Sequence, residues 1–176
     1  MAGPAVLSGR NGPIPASIMF VAEAPGRFGA TRTGVPLCGD QSGRNFERLL
    51  GIASLHREDV FVTNAVLCNP LDTRGRNAAP SRTELLNCVH YLERTIELVD
   101  PAVVVSLGAI ALHALNLLST HCATLREDVA RPIRWADRLL VPLYHPSPRA
   151  QIHRPFARQA EDFVRLQEIV QAKTLC

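Results

Sequence analysis

The sequence predicts an α/β fold in which a parallel sheet is held between layers of helix. Three observations carry this. Four short apolar runs, none of them alternating, read as strands buried on both faces. Helical patterns separate these runs, so successive strands must be joined by right-handed βαβ crossovers. The chain has 176 residues, 47% of them hydrophobic. That suits a single domain, residues 1–176, with a sizeable core, and excludes a mainly disordered chain.

The opening stretch, MAGPAVLSGRNGPIP, lacks the charged start and long apolar centre of a signal peptide. The first strand is Ile18–Ala22 (IMFVA), and it runs into Glu23-Ala24-Pro25-Gly26. A glycine-framed loop, GVPLCGDQSG at 34–43, precedes Phe46, Leu49, Leu50 and Ala53. Their i, i+3, i+4, i+7 spacing predicts a helix, with Ser42 as its cap. The second strand is Val60–Val66 (VFVTNAV), with Asn64 near its end. After a Pro/Gly-rich loop, Ser81-Arg82-Thr83-Glu84 reads as a capping box. It opens a helix with a stripe of Leu85, Val89, Leu92 and Ile96, and Asp100-Pro101 stops that helix. The third strand, Ala102–Leu107, ends in Ser106-Leu107-Gly108. Gly108–Leu118 is apolar nearly all round and predicts a buried helix. The fourth strand, Leu139–Tyr144, breaks into His145-Pro146-Ser147-Pro148-Arg149. Phe163, Leu166 and Val170 mark a last amphipathic helix.

Lys+Arg number 19 against 16 Asp+Glu, a net charge of +3, and Lys173 is the single lysine. The mild basic excess is compatible with nucleic acid. Arginine favours bidentate contact with phosphate or carboxylate, although a GC-rich genome produces the same bias. No apolar run approaches the roughly 18 residues of a membrane span. A cytoplasmic protein with no membrane partner is expected, its five cysteines being free thiols or metal ligands rather than disulfides. No G-x-G-x-x-G follows the first strand, which argues against a dinucleotide-binding protein.

In parallel α/β sheets ligands bind beyond the carboxyl ends of the strands. There the sequence puts a carboxylate (Glu23), an amide (Asn64) and an imidazole (His145), with Asp40 in the loop after strand one.

These residues lie in stretches that resemble a known family. EAPG at 23–26, TRTGVPLCGDQSG at 31–43, VTNAVLCNP at 62–70 and HPSPR at 145–149 are similar, in order and spacing, to motifs of the uracil-DNA glycosylase superfamily. The likeness is strongest to families 4 and 5, and it spans residues 18–163. The resemblance implies a three-layer α/β/α sandwich on a four-stranded parallel sheet. It also implies a monofunctional enzyme, acting as a monomer on DNA in base-excision repair. The reaction would be hydrolysis of the N-glycosidic bond of uracil or another deaminated base.

The chemistry suits the residues. A flipped base is read by its Watson–Crick edge, and one amide can accept from uracil N3–H and donate to O4 together. Asn64 matches the family's base-reading asparagine. A neutral imidazole can donate to O2 of the departing uracil anion, and His145 matches that position. A carboxylate can orient the attacking water and balance the cationic sugar. Glu23 matches the family 4 acid and Asp40 the family 5 acid; the GATRTG…GDQSG run favours Asp40, and Glu23 stays open. Ala24, Pro25, Gly26 and Leu37 would line the base pocket. Ser147, Pro148, Arg149 and Arg154 would meet DNA, with Arg74, Arg76 and Arg158 as further phosphate contacts.

Two departures stand out. Leu37 replaces the phenylalanine that the family packs on the uracil face. That loses a stacking term of about 1 kcal/mol and opens the pocket to bases such as hypoxanthine or xanthine. Asn77 stands where one branch carries a histidine that bonds covalently to DNA, so no covalent trapping is expected.

Families 4 and 5 also hold a [4Fe–4S] cluster on four cysteines. Cys68 and Cys88, 20 residues apart, match the second pair. The first pair is missing, and residues 1–16 read as the remnant of a cluster-binding segment. Two thiolates do not make an ordinary cluster site. Either a preceding piece is absent from this chain, the favoured expectation, or the cluster has been lost. Cys38, Cys122 and Cys176 read as plain thiols. The missing stack and the incomplete ligand set keep a second function open, that of a catalytically weak module binding damaged bases or abasic sites.

Overall fold

The structure, a computed structural model, describes residues 3–174. Its strands are β1 (Ile18–Ala22), β2 (Val60–Asn64), β3 (Val103–Leu107), β4 (Ile133–Trp135) and β5 (Arg138–Leu143). Its helices are α1 (Ala30–Thr33), α2 (Gln41–Ile52), α3 (Arg82–Val99), α4 (Ala109–Leu118), α5 (Leu125–Asp128) and α6 (Phe156–Thr174). The sheet order is β2-β1-β3-β5-β4, and every neighbouring pair is parallel except β4 with β5. The four predicted strands are the four parallel ones. Among the described residues no helix is long and apolar enough to cross a membrane.

The predicted three-layer α/β sandwich is present, with five strands rather than four. Sequence reading passes over β4 because it has three residues, with exposed Arg134 in the middle. It forms by folding back on β5 through Ala136-Asp137, Trp135 opposite Arg138 and Ile133 opposite Leu140. Pro142 is tolerated in β5 because its register partners lie on the β3 side, while its carbonyl accepts from Ala130 on the other. β4 has already ended there, so no ladder donor is missed.

All residues of β1, β2 and β3 are buried, as the unbroken apolar runs require. Alternate residues then feed two cores. Ile18, Phe20 and Val62 pack against α2 and α6. There Phe20 meets Phe46 edge-on at 5.1 Å and stacks on Phe163 at 6.0 Å. Met19, Val21 and Phe61 pack against α3 and α4, with Leu92 and Leu115 at the centre. α3 starts as predicted. Ser81 Oγ accepts from the Glu84 N–H, and Glu84 Oε2 accepts from the Ser81 N–H at 2.7 Å. Asp100 closes it in the left-handed region. α4 buries Ala111, Leu112, Ala114 and Leu115 but exposes His113 and Leu117, so it is half-buried rather than enclosed.

The predicted cap of α2 needs correction. Asp40, not Ser42, is the N-cap, its Oδ1 accepting from the Gly43 N–H at 2.9 Å. An aspartate two residues earlier in a glycine-framed turn caps better than a serine already inside the first turn.

Residues before β1 close the outer edge of β2. Val6 is buried and its N–H donates to the Leu67 carbonyl. Asn11, fully buried, donates from Nδ2 to the Val62 carbonyl at 2.8 Å. Arg57 Nη1 takes the Val60 and Asn11 carbonyls.

Candidate active site

β2 ends at Asn64, two residues short of the predicted limit, and Ala65 and Val66 go on to donate to the Ala22 and Glu23 carbonyls. The carboxyl end of β2 is thereby locked to that of β1. With Val60 and Val62 facing the α2/α6 core, the period of two puts Asn64 on that same face. Asn64 is 2% exposed, and its Nδ2 has no hydrogen-bond partner. Buried donors are nearly always paired, so this orphan at a strand end is a candidate contact for a ligand acceptor. Ser106 Oγ is also buried and unpartnered, but the same alternation puts it on the α3/α4 face, away from Asn64.

Val141 and Leu143 of β5 face the α2/α6 core, so His145, two residues on, continues that face. Its Nδ1 accepts from the Ser147 N–H at 3.2 Å. A ring nitrogen that accepts carries no proton, so the neutral ring bears its hydrogen on Nε2. Burial pushes the imidazolium pKa down to about 4, against a smaller opposing pull from Asp40. At neutral pH this histidine is an uncharged N–H donor.

The loop after β1 brings in the acids. Asp40 is half-buried, held by its cap bond to Gly43. Its Oδ2 lies where a Cβ on Gly29 would collide with it, and a Cβ on Gly26 would come within 3.2 Å. Only glycine at 29 lets the strand-one loop close over this carboxylate. Gly43 is equally confined, since a Cβ there would sit 2.5 Å from the Leu37 carbonyl. Glu23 is half-buried, and burial raises its carboxyl above the ordinary value, with the Arg149 guanidinium partly offsetting this. Glu23, Gly26, Asp40, His145 and Arg149 thus gather at one end of the sheet, as strand-end reasoning requires.

The remaining candidates divide. Pro25 is buried and Ala24 half-buried against the α3/α4 core. Leu37 is buried in the α2/α6 core with φ +49°, a strained conformation for a non-glycine residue. Ser147 Oγ accepts from the Ala150 N–H, and this turn leaves Pro148 and Arg149 exposed. Arg154 does not join them. Its guanidinium bonds both oxygens of buried Asp162 on α6, with Nε to Oδ2 at 2.9 Å. Arg158 pairs with Glu161 and Arg76 with Asp72. Asn77 Oδ1 accepts from the Arg27 N–H at 3.1 Å, bracing the strand-one loop from the loop after β2.

Sequence reasoning missed Asn45. It is 3% exposed, donates from Nδ2 to the Pro146 carbonyl at 2.8 Å and accepts from Gln41 Nε2 at 2.9 Å. It ties α2 to the residue beside His145. An asparagine inside a helical pattern reads as solvent-facing, and no local signal announces a partner 101 residues away.

Cys68 is half-buried and Cys88 is buried on α3. Among the described residues no group of three or more His, Cys, Asp or Glu side chains is placed to hold a metal. Cys38 and Cys122 are exposed thiols, and Cys176 lies outside the described residues. The described residues therefore do not by themselves fit a four-thiolate cluster.

A family model described as "Uracil DNA glycosylase superfamily" matches residues 10–169. The chain is 32% identical to a type-4 uracil-DNA glycosylase of Archaeoglobus fulgidus, over 88% of this chain and 77% of that one. It is 33% identical to the type-4 enzyme of Saccharolobus solfataricus, over 91% and 74%. A type-5 uracil-DNA glycosylase of Pyrobaculum aerophilum is 33% identical over 78% of this chain and 64% of its own.

Proposed function

The chain belongs to the uracil-DNA glycosylase superfamily, and from that premise we propose that it hydrolyses the bond between uracil and deoxyribose in DNA. The observation that carries the reading is the buried, unpartnered Nδ2 of Asn64 on the same sheet face and at the same strand ends as a neutral histidine. Uracil O4 supplies the missing acceptor, and its N3–H meets the amide oxygen. Cytosine would bring a second donor to Nδ2 and leave both unsatisfied, at a cost of roughly 1–3 kcal/mol.

As the C1′–N1 bond breaks, its electron pair moves onto the uracil ring. The Nε2–H of His145 donates to O2, where that charge collects, and such preorganised donors are worth roughly 3 kcal/mol. Asp40, whose charge already acts on His145, orients the water that adds to C1′ and balances the cationic sugar. Glu23 is the second carboxylate, within electrostatic reach of Arg149. Leu37 gives the base an apolar rather than aromatic wall. The protein is read as a monomer working in the cytoplasm on DNA that contains uracil or another deaminated base. Cys68 and Cys88 are proposed as two ligands of a [4Fe–4S] cluster, and no step above depends on them.

The test is cleavage of an end-labelled uracil oligonucleotide, treated with alkali and compared with hypoxanthine, xanthine and normal-base controls. Uracil cleavage is expected, with His145→Ala slowing it on the order of 100- to 1,000-fold. Asn64→Ala should also abolish the preference for uracil over cytosine. Cleavage at a purine lesion alone would move the specificity. Full activity in both variants would overturn the site.

A further inference from the structure

Large apolar side chains left in water call for a reason, and here the most exposed two each follow a strand end that carries a candidate site residue. Among the described residues the most exposed large hydrophobics are Ile152 at 79% and Phe28 at 68%. Phe28 follows the EAPG stretch after β1, and Ile152 follows the His-Pro-Ser-Pro stretch after β5. The two loops that carry Glu23 and His145 each present an uncovered apolar group beside an exposed arginine, Arg27 or Arg149.

Phe28 is also fixed in place. The Gly29 and Thr31 N–H groups both donate to the Gly26 carbonyl, making a tight turn. Asn77 holds the Arg27 N–H, and Arg27 Nη1 donates to the Gly75 carbonyl at 2.8 Å. The Arg27 guanidinium then sits 5.3 Å from the Phe28 ring centroid. A ring on a braced turn, with a cation on one side and water on the other, loses little entropy when something stacks on it. Extruding a nucleotide uncovers one face of each neighbouring base, and that face needs a new cover.

We propose that Phe28 is a stacking platform for the base adjacent to the extruded nucleotide, with Arg27 and Arg149 holding the phosphates on either side. The inference rests on the glycosylase reading for its DNA partner but not on any bond being cleaved. Stacking of this kind tolerates any base, so Phe28 strengthens binding without choosing the lesion.

The experiment measures binding of oligonucleotides that carry one uracil and a 2-aminopurine at successive flanking positions, using wild type, Phe28→Ala, Phe28→Leu and Phe28→Trp. Phe28→Ala is expected to raise Kd and KM on the order of 10-fold. The rate at saturation should change far less. Phe28→Trp should restore binding and Phe28→Leu should not. One flanking 2-aminopurine should change its emission on binding, and only with an aromatic residue at 28. Unchanged Kd in Phe28→Ala, or full rescue by Phe28→Leu, overturns the platform. Phe28-dependent binding without cleavage would sustain the platform and sink the glycosylase. Cleavage without Phe28 dependence would do the reverse.

Discussion

Asn64 keeps a donor buried and unbonded, and a fold gains nothing from that. Asn64→Leu, close in volume and free of the orphan, is therefore expected to raise unfolding stability by about 1 kcal/mol while removing uracil cleavage. Urea denaturation beside the cleavage assay checks both halves, and a destabilised variant would mean the amide is already satisfied. His145 makes a pH prediction. Its native pKa is about 4 against an ordinary 6.5. As pH falls through that window the unfolded chain binds the proton and the native chain does not, so stability drops below pH 6.5 and keeps dropping towards 4. His145→Gln should flatten that stretch of the stability profile, read from denaturation midpoints above and inside the window. Both residues were legible because each ends an apolar run with a polar group that packing does not want. Arg154 was misleading for a physical reason. It shares the loop after His145 with Arg149, but its partner Asp162 lies a helical turn inside α6, a pairing that only the fold creates.

At the scale of elements, α2 links stability to chemistry. Asp40 caps it, and Asn45 on the same helix holds the Pro146 carbonyl. Asparagine caps a helix about as well as aspartate but carries no charge. Asp40→Asn should therefore unfold at nearly the wild-type midpoint and still lose activity, whereas Asp40→Ala should lose activity and about 1 kcal/mol of stability together. Thermal melts and single-turnover rates on both variants separate the roles; an active Asp40→Asn would hand the catalytic part to Glu23. Parallel strands and the capped α3 could be read in advance because their signals are local. β4 could not, since three residues with an arginine at the centre become a strand only by pairing with β5. The α2 cap was misplaced by two residues because serine and aspartate both qualify, and the choice is settled by where the strand-one loop closes over the carboxylate.

For the whole molecule, a net charge of +3 is small, and many arginines are spent internally. Arg76, Arg94, Arg138, Arg154, Arg158 and Arg165 all pair with carboxylates. Arg149 is among those left to meet phosphate. Arg149→Ala should weaken DNA binding and reduce the slope of log affinity against log salt by about one. Arg154→Ala should leave that slope alone and cost on the order of 3 kcal/mol, because it strands Asp162 in the interior. A salt titration and a melt on each variant decide between them.

The covering of β2 by residues 3–16 has a consequence of another kind. A bare outermost strand of five buried residues would be a template on which a second molecule could add its own strand, the first step towards fibrils. Here the outward carbonyls of Val60 and Val62 are already taken by Arg57 and Asn11. The opposite edge, β4, is short and turns an exposed arginine outward. A stretch that reads as a leftover thus works as protection against self-association, guarding the side of the sheet that the helices leave open.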